Sequence, residues 1–103
     1  MTDDSWSAAH WCRSNGVRRG ALLGIANQAA GYRFEVLRLT HVGRQLVLAS
    51  HVCVLYPCGR GGTRGPLVEG GADYERSMAY ACQLFVPPDH LLDAIVAWME
   101  RGG

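Results

Sequence analysis

The residues with the most chemistry to offer are His51-Val52-Cys53 and Cys58. Imidazole and thiolate are zinc ligands, and His41 or Cys82 would complete a tetrahedron. The His-x-Cys-x4-Cys spacing lacks the Cys-x2-Cys pair of structural zinc sites, so no metal is assigned. Read instead as a thiol nucleophile and its base, Cys53 and His51 are badly placed. Positions i and i+2 of a strand share a face but stand roughly 6–7 Å apart, beyond hydrogen-bond reach. Cys12, Cys53, Cys58 and Cys82 occur with no export signal, since Met1-Thr2-Asp3-Asp4 opens on acids rather than a basic stretch and an apolar block. A cytoplasmic chain with reduced thiols is expected, although a disulfide is not excluded. Cys53 and Cys82, inside apolar runs, read as small core hydrophobes.

Arginine is the second candidate. All ten basic residues are arginine, and lysine is absent, which base composition alone explains. Net charge is +1, but its distribution is uneven. Residues 13–64 hold eight arginines against Glu35, while both flanks are acidic. The flanks either fold back to neutralise the middle or leave a basic surface for phosphate or an acidic partner. The stretch 57–72 has six glycines, two prolines, Arg60 and Arg64. It reads as a long loop, either a solvated connector or a binding loop presenting those arginines. It is neither a Walker loop nor a dinucleotide fingerprint.

At 103 residues and 49 % hydrophobic, the chain is one domain (1–103) with no membrane span. A short helix is expected from Trp6 to Ser14, capped by Ser5 and stopped at Asn15-Gly16. Trp6 or Trp11 would anchor a partner if exposed. Residues 17–31 admit two readings. As a helix they complete a helix-turn-helix over 6–30 with Arg18 and Arg19 at its second helix. As a strand from Ala21 to Ala26 they lead into the next extended run, the reading preferred here.

Residues 32–41 and 45–56, rich in Val, Leu, Tyr and Phe, predict a β-hairpin turning at Val42-Gly43-Arg44. That turn sets Glu35 opposite His51 and Arg33 opposite Cys53. The Glu35–His51 pair would favour a charged histidine, and reads as an ordinary cross-strand pair rather than a catalytic dyad. Residues 77–86 predict a third strand, and 89–101 a helix with an apolar stripe of Leu91, Leu92, Ile95, Val96, Trp98 and Met99. The class is α+β, an antiparallel sheet of three to four strands with an N-terminal and a C-terminal helix.

Both faces of that hairpin are apolar, the first turning polar only at Arg33, Glu35 and His51. Two helices are expected to leave part of the sheet uncovered, which implies an interaction surface. With no catalytic motif and no cofactor signature, the expected function is non-enzymatic. The chain would inhibit or regulate a partner protein by covering its surface. Stand-alone chains of this kind are often phage or mobile-element encoded, so an anti-CRISPR-like counter-defence role fits. The partner-binding candidates are Trp6, Trp11, Arg18, Arg19, Arg33, Arg60 and Arg64. The alternative is a nucleic-acid-binding regulator using an arginine-rich surface, and a homodimer is compatible with either.

Overall fold

The computed structural model describes residues 6–26, 33–59, 64–71 and 73–102. The elements in order are α1 (Ala8–Ser14), β1 (Leu22–Ala26), β2 (Phe34–Val42), β3 (Val47–Tyr56), β4 (Leu67–Gly70), β5 (Glu75–Met78), β6 (Leu84–Phe85) and α2 (Asp89–Glu100). The class is α+β with an antiparallel sheet and a helix near each end. The sheet has six strands rather than three to four, in the order β4-β3-β2-β1-β6, with β5 also on β3. The ten-residue β3 accommodates both by dividing its outer edge. Residues 53–56 pair with β4, and 47–50 with β5.

The two extra strands correct the expected boundaries. Leu67-Val68-Glu69 forms β4 inside the glycine-rich stretch, starting directly after Pro66, where the missing N–H costs the ladder nothing. The expected strand 77–86 divides into β5 on the β3 edge and β6 on the β1 edge. The connection 79–83 must therefore cross the sheet.

Residues 17–26 hold a turn and a strand, so the helix-turn-helix is ruled out. Gly24 is required in β1, because a Cβ there would meet the Phe85 ring at 2.5 Å. The helix α1 begins later than expected. Its cap is Ser7, whose hydroxyl accepts the His10 N–H at 3.1 Å. Ser5 lies outside the described residues. The helix ends where expected: Gly16, at φ 68°, lets the Val17 N–H reach the Cys12 carbonyl at 2.9 Å.

The hairpin register also differs from the expected one. The turn takes four residues, 43–46, closed by the Gly43 N–H on the Leu46 carbonyl at 2.9 Å. Irregularities then follow at Val36/Leu37 and at Leu39/His41, leaving Val52 and Thr40 as extra residues. Glu35 thus pairs with Val54, Val36 with Cys53, and Leu37 with His51.

Each face of the sheet carries its own core. The front core joins Leu23, Ile25, Leu37, Leu39, Val47 and Ala49 to Ala8, Ala9 and Cys12 of α1. The back core joins Phe34, Val36, Cys53 and Leu55 to Leu91 and Ile95 of α2. Phe85 packs edge-on against Phe34 at 4.8 Å. The 79–83 connection supplements α1. It joins Met78 to Leu84, both packed on the front core, and its Ala79 carbonyl accepts the Ala8 N–H at 2.8 Å.

The expected surplus of uncovered sheet is therefore absent among the described residues. One helix closes each apolar face, and the crossing segment extends the front cover. Burying Leu91 and Ile95 contributes about 1.5–3 kcal/mol each to the seating of α2. The helix α1 buries only Ala8, Ala9 and Cys12, and is also tied by the Ala8 and Ala9 N–H groups to the Ala79 and Gln45 carbonyls at 2.8 and 3.0 Å. No described helix is long and apolar enough to cross a membrane.

Candidate functional site

The bulge at Val52 decides where the chemistry-bearing residues of β3 point. His51 pairs with Leu37 on the front face, whereas Cys53 pairs with Val36 in the back core. The extra residue breaks the two-residue alternation, so His51 and Cys53 lie on opposite faces. They form neither a ligand pair nor a nucleophile and base. Burial pushes the Cys53 thiol up to about 11, and raises Cys12 despite the opposing charge of Arg13. Cys58 and Cys82 are exposed, and all four cysteines are free. The described residues contain no metal-ligand cluster.

His51 instead joins a polar cluster where the front face turns hydrophilic. Glu35 accepts the Tyr74 hydroxyl at 2.6 Å on one oxygen and an Arg76 N–H at 3.1 Å on the other. His51 Nε2 lies 3.5 Å from the same carboxylate. The imidazole stacks on Tyr74 at 4.8 Å, and the His51 backbone N–H donates to the Tyr74 carbonyl at 2.9 Å. The His51 side chain is 2 % exposed, and its Nδ1 has no hydrogen-bond partner among the described residues. Burial first, then the hydrogen bond to Glu35 and its charge, raise the pKa of Tyr74. The phenol keeps its proton and donates it.

The Glu35–His51 proximity expected from the sequence thus exists, but diagonally, and with Tyr74 and Arg76 as further members. Both Glu35 oxygens are engaged by donors from segment 74–76. The cluster therefore clasps that segment onto the sheet. The adjoining cleft, lined by Arg33, Phe34, Glu35 and Val54, has a volume of about 100 Å³. A typical small-molecule site is about 300–1,000 Å³.

The partner-binding candidates do not form one surface. Trp6 is 72 % exposed, whereas Trp11 packs against the front core. Arg18 and Arg19 are exposed beside the far end of β2, with the Gly20 N–H on the Leu39 carbonyl at 2.7 Å. Arg33 is half-buried just before the opposite end of β2. Six residues, from Arg33 to Leu39, separate the two sites, roughly 20 Å at the usual rise. Arg64 is exposed near the start of β4, beyond the end of β3 where Tyr56 pairs with Leu67. Arg60 lies outside the described residues.

Tyr80 was not a sequence candidate, and it is 74 % exposed. It sits opposite Ser7 in an isolated bridge, and the neighbouring Ala81 N–H donates to the Trp6 carbonyl at 3.1 Å. Trp6 and Tyr80 therefore belong to one short ribbon, a single bridge closed by two backbone hydrogen bonds at the start of α1. The cleft beside it, bordered by Ile25, Met78, Tyr80 and Leu84, has a volume of about 190 Å³. In the sequence Tyr80 had read as one more residue of an alternating strand.

No family model, no curated protein and no solved structure matches this chain.

Proposed function

We propose that this chain is a non-enzymatic binding protein that acts by covering a surface of a partner protein, with the Trp6–Tyr80 ribbon as its contact. The observation carrying this reading is the exposure of two large aromatics, 72 % and 74 %, on one hydrogen-bonded ribbon. Tryptophan and tyrosine are the residue types that dominate binding hot spots. Backbone bonds to Trp6 and Ala79 fix the main chain of the ribbon, so only the two side chains are left to be ordered on binding. The apolar sheet gives this reading no support, because the chain's own helices close it. The small volumes of the neighbouring clefts favour contact over enclosure of a substrate.

The test is affinity capture with the intact chain, run with and without nuclease, beside a Trp6→Ala/Tyr80→Ala variant. A protein retained at stoichiometric level by the wild type, absent from the variant and indifferent to nuclease supports the reading. No retained protein, or equal retention by both chains, overturns it. Sedimentation at micromolar concentration distinguishes a second copy of this chain as the occupant.

A further inference from the structure

Three separate segments bring arginines to one end of the β2–β3 hairpin. Arg13, in the last turn of α1, reaches across that end. Its guanidinium donates to the Gly43 carbonyl at 3.3 Å and to the Arg44 carbonyl at 3.4 Å. Arg44 itself lies in the turn and is exposed. Arg18 and Arg19 are exposed in the connection that follows α1. That connection is held against the end of β2 by the Gly20–Leu39 bond of 2.7 Å, and is tied to α1 by the Val17–Cys12 bond of 2.9 Å. Five residues, from Leu39 to Arg44, separate Arg44 from Arg18 and Arg19, at most roughly 17 Å of chain.

Four positive charges therefore share one end of the molecule. Among the described residues, none of the four has a carboxylate within ion-pair distance. Of the acids of the C-terminal third, Asp89, Asp93 and Glu100 lie on α2, whereas Glu75 on β5 accepts the Thr40 hydroxyl at 3.4 Å, close to this end of β2. Glu75 is engaged by Thr40 and is not within ion-pair distance of any of the four arginines.

We infer that the end formed by Arg13, Arg18, Arg19 and Arg44 is a binding site for the phosphate backbone of a nucleic acid. Protein surfaces carry interspersed charges, and their interface cores are depleted of them. A single-sign cluster matches a ligand of uniform opposite charge, which a phosphate chain supplies. The guanidinium fork suits phosphate oxygens in two-point contacts. Such contacts carry no sequence preference, because they reach no base edge. The site is separate from the Trp6–Tyr80 side chains and does not rest on the protein-partner reading.

The test is fluorescence anisotropy of a labelled 20-nucleotide DNA, as single strand and as duplex, titrated with the full chain across a salt series. With Arg13 engaged by carbonyls, about three phosphates are neutralised. A duplex slope near −2.7 in log affinity against log salt follows, a loss of about 40-fold between 50 and 200 mM. Arg18→Ala/Arg19→Ala should reduce that slope to about −0.9, whereas Arg101→Ala, at the end of α2, should leave it unchanged. Circular dichroism confirms that each variant is folded. Absence of binding at 20 mM salt overturns the inference, and so does an equal effect of Arg101→Ala. Unlabelled poly-glutamate that competes as well as unlabelled DNA would assign the site to acidic peptides instead.

Discussion

Replacing Gly71 by alanine probes the tightest contact around the polar cluster. A Cβ at Gly71 would lie 1.7 Å from His51 Cε1 and 2.1 Å from Nδ1, where ordinary contact begins at 3.4 Å. The ring has little room to retreat, being stacked on Tyr74 at 4.8 Å with its side chain 2 % exposed. The remaining escape is to lift the segment that carries Tyr74, which breaks the 2.6 Å bond to Glu35. Overpacking costs about 1–3 kcal/mol, and a lost hydrogen bond to a charged group about 1.5–3 kcal/mol. Because the two escapes are partly exclusive, a loss of about 2–4 kcal/mol is expected. Urea denaturation reads it as a lower midpoint at unchanged slope. In a His51→Ala background the ring is gone, and the same substitution should cost less than about 0.5 kcal/mol. A cost below about 0.5 kcal/mol in the wild type, or an equal cost in both backgrounds, would refute the reasoning.

Ile95→Ala should destabilise by about 2–5 kcal/mol, because Ile95 is fully buried between α2 and the back face, whereas Val96→Ala on the same helix should cost less than about 1 kcal/mol. Thermal or urea unfolding of the two single variants gives the contrast. Iodoacetamide should modify Cys58 and Cys82 in the folded chain and reach Cys12 and Cys53 only on unfolding, as mass spectrometry of the intact protein would register. The Cys53 thiol, raised from 9.0 to about 11, is protonated in both states only well below pH 9, because the unfolded thiol is already half ionised at pH 9. Between pH 9 and 11 the unfolded chain releases this proton first, so Cys53 should remove about 2 kcal/mol of stability over that interval. Cys53→Ala should flatten that part of the stability profile.

Local patterns carried much of the fold. The stripe from Leu91 to Met99 and Asp89 at its start mark α2 without reference to the rest of the chain. The apolar runs on either side of Gly43 mark the hairpin, and the polar turn of its first face at Arg33, Glu35 and His51 coincides with the clasp. Non-local pairing supplied what was missed. Nothing in Thr40 or Val52 announces an extra residue, yet these two positions set the register and send His51 and Cys53 to opposite faces. Leu67-Val68-Glu69 is too short to stand out between glycines, and becomes a strand because β3 offers it an edge. Tyr74 and Arg76 join Glu35 only through the β3–β5 pairing, about forty residues along the chain. The sheet is covered more fully than two helices and one strand over 77–86 would allow, because that stretch is two short strands joined across the sheet. The crossing at 79–83 supplies a third cover, and also exposes Tyr80.

Titration calorimetry with the captured partner tests the Trp6–Tyr80 ribbon most directly as the contact surface. Each hot-spot truncation costs about 2 kcal/mol or more, so Trp6→Ala/Tyr80→Ala should weaken binding by at least about 100-fold. The melting temperature should stay unchanged, because both side chains are about three-quarters exposed. An affinity equal to that of the wild type, in a variant that folds as well, would contradict the account.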